Sequence, residues 1–251
     1  MIYTIATQKG GTGKTTTAAA LVQAAAHTGR AALAIDLDPQ ANLTYCLAAD
    51  ADKPGSYELL HGATLAEVVQ MSPQNIVVIS ASPNLQTEAS AAGSARRLQK
   101  ALEPARDLFD IIVIDTPATA GELQYNALQA ADRLIIPLEA DGYNLQSLQQ
   151  ITGTISQIKK SNPELKAAGM VLTKYDGRPV FNRQLREMAI NSAEKMGVPF
   201  LGTIRPAVAV REAAGMQQSL FSYAPRATAT ADYMAVYEAL LEQEGVLAAR
   251  D

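Results

Sequence analysis

The residues from Gln8 to Thr16 combine glycines, lysines and threonines in a spacing that suits phosphate binding. An apolar run before them predicts a short buried strand, and the alanine-rich run Thr17 to His27 predicts a helix. At such a junction, glycines let backbone N–H groups point inward and the helix dipole adds positive potential. Lys14 would reach the β- and γ-phosphates as a point charge, and the Thr15 hydroxyl would ligate Mg²⁺. The phosphate-binding residues predicted here are Gly10, Gly11, Thr12, Gly13, Lys14, Thr15 and Thr16.

This loop departs from the common phosphate-loop pattern G-x-x-x-x-G-K-[ST], because Gln8 stands where the first glycine is expected. It carries instead an extra lysine, Lys9, beside two glycines. The form K-G-G-x-G-K-T-T resembles the deviant loop of the ParA/MinD family of ATPases at every fixed position. The resemblance implies that Lys9 reaches across a dimer interface to the partner's nucleotide and acts with Lys14 in catalysis. The alternative is a glycine-rich turn with two solvated lysines.

Two aspartates, Asp36 and Asp38, follow the second predicted strand, Ala31 to Ile35. Carboxylates at i and i+2 point the same way if the strand geometry persists. We expect them beside the phosphate loop if the first two strands are neighbours, where they would suit binding and orienting water. The string D-x-D-P-Q-x-N resembles the switch region of ParA proteins, which implies that Asp38 is catalytic and Asp36 supports Mg²⁺. The alternative is a strand-end turn in which an aspartate caps the next helix.

A third aspartate, Asp115, ends the apolar run Ile111 to Ile114 and is followed by Thr116-Pro117. Four consecutive apolar residues predict a strand buried on both faces. An aspartate at the carboxyl end of such a strand lies where Mg²⁺-bound water is held beside a phosphate loop. The predicted metal ligands are Thr15, Asp36 and Asp115.

The run Thr173-Lys174-Tyr175-Asp176 resembles the base-recognition motif [NT]-K-x-D of P-loop GTPases, in which the aspartate reads the guanine edge. The ParA resemblance favours ATP, with this loop near the adenine. The segment Arg205 to Ala213 resembles the family segment that lies against the adenine and continues toward a DNA-binding face. The base-binding residues predicted from these resemblances are Lys174, Asp176, Arg205 and Pro206.

Positive charge is concentrated in the C-terminal third, although the net charge of the chain is −4. Residues 159–226 contain eleven Lys/Arg and five Asp/Glu, a net of +6, whereas the remainder contains ten and twenty, a net of −10. This asymmetry indicates an anionic partner, with ordinary solvated charge as the alternative. The predicted contacts with DNA phosphates are Arg178, Arg183, Arg205 and Arg211.

Predicted strands alternate with predicted helices along the chain, which favours one mostly parallel sheet with helices on both faces. We therefore expect an α/β fold in which residues 1–251 form a single P-loop NTPase domain. Further helices are predicted at Ser56–His61, Thr64–Met71, Leu85–Leu108 and Leu145–Lys159, from Arg183 to Met196, and at Ala227–Ala249. Further strands are predicted at Asn75–Ile79, Arg133–Leu138, Met170–Thr173 and Pro199–Ile204.

Composition excludes several classes of protein. A single cysteine, Cys46, excludes a disulfide framework, a cysteine-based metal site and an iron–sulfur cluster between subunits. It also fits a cytoplasmic location. No apolar run reaches 18 residues, so no membrane span is expected. The last predicted helix carries mainly acidic charges, whereas a membrane-targeting helix needs flanking Lys or Arg.

These patterns together favour a DNA partition ATPase. The ParA resemblance implies that ATP and Mg²⁺ drive formation of a homodimer, which binds non-specific double-stranded DNA on the nucleoid. A centromere-binding partner protein would then stimulate slow hydrolysis and release the dimer. Three alternatives stay open: a MinD-like protein that acts at a membrane, a small-molecule enzyme such as an amidoligase, and a ParA relative that positions a protein cargo.

Overall fold

The computed structural model describes residues 1–88, 96–140, 153, 159–160 and 162–247. The strands in these ranges are β1 (Ile2–Ile5), β2 (Ala32–Asp36), β3 (Val69–Met71), β4 (Val77–Ile79), β5 (Ile111–Asp115), β6 (Arg133–Glu139), β7 (Lys166–Thr173) and β8 (Phe200–Thr203). The helices are α1 (Lys14–His27), α2 (Asn42–Cys46), α3 (Ser56–Leu60), α4 (Leu65–Val68), α5 (Leu85–Glu88), α6 (Arg97–Ala101), α7 (Glu122–Ala130), α8 (Val180–Lys195), α9 (Val208–Gly215), α10 (Leu220–Tyr223) and α11 (Thr228–Gln243).

The eight strands form one sheet in the order β3-β4-β2-β5-β1-β6-β7-β8. Every pairing is parallel except that of β3 with β4, which is antiparallel. Side chains of the central strands alternate between two cores, one on each face of the sheet. Ile112 and Ile114 pack in the core beside α3, α6 and α7, whereas Ile111 and Val113 pack in the core beside α1 and α11. The predicted α/β fold with helices on both faces is confirmed.

The first two strands are not neighbours, because β5 lies between them, so the condition on which Asp36 and Asp38 were placed beside the phosphate loop is not met. Asp115 pairs in register with Ile5 of β1 on one side and with Asp36 of β2 on the other. A strand that is apolar on both faces is favoured at the centre of a parallel sheet, and β5 is fully buried. Asp115 is therefore one strand from the phosphate loop, and Asp36 is two.

Two predicted helices are shorter than expected. The helix predicted at Thr64–Met71 ends at Val68, because the backbone turns extended at Val69 and residues Val69–Met71 pair with β4. Within the described part of Leu85–Leu108, two short helices and a 3₁₀ turn at Glu103–Ala105 replace one kinked helix. Pro104 lies at the start of that turn, where its missing N–H costs least.

The remaining predicted elements agree with the described structure to within a few residues, except at two places. The predicted helix Leu145–Lys159 falls outside the described residues apart from positions 153, 159 and 160. The predicted tail helix ends at Gln243. Across the ranges that the structure describes, no helix is long and apolar enough to cross a membrane.

Candidate active site

The phosphate loop connects β1 to α1 at the carboxyl edge of the sheet. Gly11 and Gly13 have φ angles of 79° and 86°, which only glycine adopts without strain. Gly13 caps α1, and its carbonyl accepts the first helical bond, from the N–H of Thr17 at 2.8 Å. The first turn of this 14-residue helix contains no acidic residue. The unpaired N–H groups and dipole of its N-terminus therefore face an anion site that no nearby carboxylate on the helix neutralises.

Lys14 is buried in this loop with only 7% of its surface exposed. Its Nζ donates a hydrogen bond to the carbonyl of Lys9 at 3.2 Å. Burial lowers the pKa of Lys14, whereas the charges of Asp115 and Asp38 raise it. The two carboxylates therefore favour the ammonium form that phosphate binding requires. Lys9 itself is half-buried at the solvent side of the loop.

Asp115 lies fully buried at the end of β5. Its Oδ1 accepts the N–H of Thr116 at 3.0 Å, and its Oδ2 has no hydrogen-bond partner among the described residues. Burial and the charge of Asp36 raise the pKa of Asp115 well above its usual range, while the Thr15 side chain and Lys14 lower it. A buried carboxylate oxygen without a partner, close to a threonine hydroxyl, fits a hard cation.

These residues fit Mg²⁺ rather than a metal held by the protein alone. In the described ranges, no group of three or more His, Cys, Asp or Glu is arranged to hold a metal ion. Mg²⁺ in nucleotide sites is bound by one or two protein oxygens together with substrate phosphates and water. Thr15 and Asp115 supply that minimal set of oxygens.

Asp36 is also fully buried, but its oxygens are already used. Its Oδ2 accepts the N–H and hydroxyl of Thr44, both at 2.8 Å, and its Oδ1 accepts the N–H of Asp38 at 3.0 Å. Burial raises the pKa of Asp36 to about 6 although these hydrogen bonds lower it. Asp36 thus holds the start of α2 and the backbone of Asp38 in place.

Asp38 lies half-buried just beyond β2, where its charge acts on Lys14. Its Oδ1 accepts the N–H of Gln40 at 3.0 Å. This carboxylate therefore belongs to the same electrostatic cluster as Lys14 and Asp115, but on the solvent side.

A cleft of about 460 Å³ opens beside the phosphate loop. Five predicted nucleotide-binding residues line it together: Gly13, Thr16, Lys174, Arg205 and Pro206. It is also lined by Thr173, Ile204, Ala207, Val208, Val210, Arg211 and Tyr233. A mostly apolar cleft next to a phosphate site has the form that a nucleoside requires.

Asp176, also predicted to bind the base, lies outside this set of lining residues. Its carboxylate forms an ion pair with Arg178 at 2.7 Å. The hydrogen bonds and charge of Arg178 lower the pKa of Asp176 to about 2. The structure therefore directs Asp176 toward Arg178 and away from the cleft.

Two contacts with the phosphate loop that the sequence did not predict come from the carboxyl end of β7, one from Thr173 and one from Lys174, itself predicted to bind the base. The hydroxyl of Thr173 lies 2.8 Å from the carbonyl of Thr12 and 3.0 Å from that of Leu138. The Nζ of Lys174 donates to the carbonyl of Gly11 at 2.8 Å and pairs with Glu139 at 3.0 Å. The threonine that begins the Thr173-Lys174-Tyr175-Asp176 run was the available signal for the first of these contacts.

The four predicted DNA-binding arginines differ in what they contact. Arg178 is paired with Asp176, and Arg205 is paired with Asp232 at 2.6 Å. Arg183 donates to the carbonyls of Gly177 and Arg178. Arg211 is exposed and has no hydrogen bond or ion pair with the described residues.

A glycine-rich loop with a buried lysine, a hydroxyl at the next position and a strand-end carboxylate define a P-loop nucleoside triphosphatase. The sequence family described as "AAA domain" matches residues 1–167. The chromosome-partitioning ATPase Soj of Thermus thermophilus is 31% identical over 240 residues, which cover 94% of each chain.

Solved structures show the same relationship. The cobyrinic acid a,c-diamide synthase of Mycobacterium smegmatis, with a bound ATP analogue and magnesium, has a TM-score of 0.80 and 28% identity over 97% of this chain and 95% of its own. The cell division ATPase MinD of Pyrococcus furiosus has a TM-score of 0.80 and 26% identity over 96% and 98%. The chain belongs to the ParA/MinD family of ATPases, as its phosphate loop predicted.

Proposed function

We propose that residues 1–251 act as one ParA-type ATPase domain that partitions DNA in the cytoplasm. ATP and Mg²⁺ are its cofactors. The observation that carries the proposal is the placement of Lys14, Asp115 and Asp38 around one phosphate loop, with the half-buried Lys9 on its open side. The similarity to a chromosome-partitioning ATPase over nearly the whole chain supports the partition role.

Each residue has a separate task in this proposal. Lys14 and the N-terminus of α1 bind the phosphates. Thr15 and Asp115 hold Mg²⁺, which neutralises charge on the phosphates, and Asp36 supports it by fixing the loop that carries Asp38. Asp38 orients the attacking water. The cleft lined by Lys174, Arg205 and Pro206 receives the adenine.

Dimerisation follows from Lys9 in this proposal. With ATP bound, two copies close face to face and each gives Lys9 to the partner's phosphates. Closure joins two basic C-terminal regions into one surface, which doubles the phosphate contacts available to duplex DNA. A centromere-binding partner protein stimulates hydrolysis, and loss of the γ-phosphate separates the copies and releases the nucleoid.

The test is binding of the whole chain to non-specific duplex DNA without nucleotide, with ADP and with ATP·Mg²⁺, at two salt concentrations. We expect binding with ATP alone, and it should weaken steeply with salt because counterions are released from DNA. The Lys14→Ala variant is the control and should not bind in any state. Absence of binding by the parent chain in all three states would contradict the DNA role.

The similarity to an enzyme named a diamide synthase supports one rival, an ATP-dependent amidation. That activity would consume ATP in proportion to a carboxylic acid substrate, whereas a partition ATPase hydrolyses ATP slowly without one. ATP turnover with and without DNA, and without any small acid, distinguishes the two.

A further inference from the structure

We propose that Gln74 is a positioning residue that makes the segment after Asp38 and the cleft helix α9 respond together to the γ-phosphate. The inference rests on the proposed ATPase function of the site. Gln74 lies in the turn between β3 and β4, remote in sequence from both segments, and it contacts neither the phosphate loop nor the base cleft.

The side-chain amide of Gln74 joins three parts of the chain. Its Nε2 donates to the carbonyl of Cys46 at 2.8 Å and to the carbonyl of Gln217 at 3.0 Å. Its Oε1 accepts the Nε2 of Gln23 at 2.9 Å. Both amide hydrogens of a half-buried glutamine are therefore committed to backbone carbonyls, one at the end of α2 and one just after α9.

A second pair of contacts joins the same two segments directly. The Tyr45 hydroxyl donates to the carbonyl of Gly215 at 3.2 Å, and the Gln217 Nε2 donates to the carbonyl of Tyr45 at 3.1 Å. Gln217 has a left-handed backbone with φ 54°, a conformation that costs a non-glycine residue energy unless its surroundings impose it. The hydrogen bonds to Gln74 and Tyr45 supply that constraint.

Each joined segment reaches a different part of the nucleotide site. At its start, the α2 segment is fixed by Asp36, which accepts hydrogen bonds from Thr44 and from the backbone of Asp38. At the other end of the network, α9 contributes Val208, Val210 and Arg211 to the wall of the cleft. A displacement of the Asp38 backbone is therefore transmitted to α9 through α2, the carbonyl of Cys46 and the side chain of Gln74.

The hydrogen bonds between α2 and α9 predict that α9 responds to the γ-phosphate, although α9 lies beside the base. ADP and ATP share one base and differ at the γ-phosphate, which binds beside Lys14 and Asp38 rather than beside α9. Within one copy, a difference in α9 between the ADP and ATP states is then transmitted through packed structure. The hydrogen bonds of Gln74 and Tyr45 connect α2 to α9 and can transmit this difference.

The test is amide hydrogen exchange of the whole chain, measured by peptide mass spectrometry with ADP·Mg²⁺ and with a non-hydrolysable ATP analogue and Mg²⁺. In the parent chain, residues 38–46 and 208–217 should both exchange more slowly with the analogue. In Gln74→Met, which keeps the side-chain length but removes both donors, the difference at 208–217 should shrink about 2-fold or more, since only the direct contacts of Tyr45 remain, while that at 38–46 is unchanged.

The matched control is Gln70→Met. Gln70 is also half-buried and also bridges backbone groups, the N–H and carbonyl of Asp50, but it touches neither segment. Its exchange differences should equal those of the parent chain. If the role of Gln74 is purely structural, Gln74→Met lowers the melting temperature but leaves the response of 208–217 intact, and that result would overturn the inference.

A milder variant guards against misfolding of Gln74→Met. Tyr45→Phe removes one hydroxyl from an exposed ring and should reduce the difference at 208–217 without abolishing it. An unchanged response in both variants contradicts the coupling. Nucleotide affinity is titrated separately, so loss of all ADP and ATP binding by the parent chain would instead contradict the proposed function.

Discussion

Two buried groups of opposite charge dominate the site at the scale of single residues. Lys14 and Asp115 are both removed from water, and burial shifts the pKa of each toward its neutral form. Charges held in this way are costly without a ligand, and they interact strongly with one when it binds. The site is therefore preorganised for a metal–phosphate complex. The Oδ2 of Asp115 has no hydrogen-bond partner among the described residues, and the Nζ of Lys14 is held in the loop by the carbonyl of Lys9.

Replacing Lys14 should separate nucleotide binding from folding. Lys14→Ala removes a charged donor from the phosphates, so we expect ATP affinity to fall roughly 10- to 100-fold, with hydrolysis lost. Isothermal titration with ATP·Mg²⁺ measures the affinity. The exposed Lys53→Ala is the control and should bind as the parent does. Normal ATPase activity in Lys14→Ala would refute the assignment of the phosphate loop.

The single cysteine reports on the carboxylates. Burial, with the charges of Asp115 and Asp36, raises the pKa of Cys46 to about 11. A raised pKa leaves less thiolate at a given pH, so alkylation at pH 8 should be about 100-fold slower than in the unfolded chain. Its rate should still be rising at pH 10. Iodoacetamide labelling followed by mass spectrometry measures this rate.

Removing the charge of Asp115 tests whether the carboxylates raise the pKa of Cys46. Asp115→Asn should speed labelling of the folded protein because one negative charge that opposes thiolate formation is gone. Asp110→Asn, near the opposite end of β5, should not change it. Equal labelling rates in folded and unfolded chains would show that the carboxylates do not act on the thiol.

The structure brings the residues predicted for the phosphate site around one loop, but it brings only some of those predicted for the base site into one cleft. The loop from Lys9 to Thr16 is contiguous, so its spacing alone fixes how glycines, Lys14 and Thr15 are presented. The role of Asp176 depended on where one side chain turns, and Arg178 two residues later captures it. Spacing does not decide between such competing contacts.

At the scale of elements, the segment between β2 and α2 is where hydrolysis should be controlled. Asp38→Ala leaves Lys14, Thr15 and Asp115 in place, since the Asp38 carboxylate accepts a hydrogen bond only from Gln40 among the described residues. We expect ATP to bind and hydrolysis to fall about 100-fold or more. Analytical ultracentrifugation with ATP should show a persistent dimer.

The control for that variant is Asp52→Ala, in an exposed turn after α2. It should hydrolyse ATP and return to monomer as the parent does. If Asp38→Ala stays monomeric with ATP, Asp38 acts in nucleotide binding or pairing rather than in hydrolysis.

The last helix, α11, holds one wall of the base cleft. Asp232 accepts hydrogen bonds from the backbone N–H and the Nε of Arg205, both at 2.9 Å, and its side chain is only 13% exposed. Asp232→Asn should weaken ATP binding roughly 5-fold by loosening this wall. Affinity for inorganic tripolyphosphate, which has no base, should not change.

A second variant on the same helix distinguishes a local effect on the cleft wall from a general loss of stability. Glu242 lies at the far end of α11 from Asp232, so Glu242→Gln should leave both affinities unchanged. Equal losses for ATP and tripolyphosphate in Asp232→Asn would place its effect on the phosphate loop instead.

Sequence patterns predicted elements best where the chain is periodic and least where tertiary contacts decide. Strands β2, β5 and β6 were predicted because apolar runs are long enough to be buried on both faces. The sequence predicts a helix where the edge strand β3 lies. Val69–Met71 is extended because it pairs with β4, a tertiary contact that the local sequence does not show. Helices α7 and α9 follow glycine- or proline-containing loops without a side-chain cap, so no local signal marks their starts.

At the scale of the whole molecule, the proposed surface for an anionic partner lies in the basic C-terminal third. Arg211 is the DNA candidate that has no hydrogen bond or ion pair among the described residues, whereas Arg178 already pairs with Asp176. We expect Arg211→Ala to weaken ATP-dependent DNA binding and to lower the slope of log affinity against log salt by about 0.9. Fluorescence anisotropy across a salt series measures the slope.

Arg178→Ala is the comparison for that experiment and should change the slope less, because Asp176 neutralises that charge before DNA arrives. A larger effect from Arg178 than from Arg211 would place the DNA surface at the start of α8 instead. The charge asymmetry could be predicted from the sequence. The ion pairs of Arg178 and Arg205 with internal aspartates, which compete with DNA phosphates for these side chains, could not.

The two edge strands of the sheet have a consequence for how copies of this chain can associate. One edge strand is β3, three residues long and antiparallel to its neighbour, and the other is β8, four residues long with Gly202 at φ 139°. Short or irregular edge strands give an approaching strand few backbone groups to pair with. The sheet therefore offers little edge for strand-to-strand association between copies of this chain.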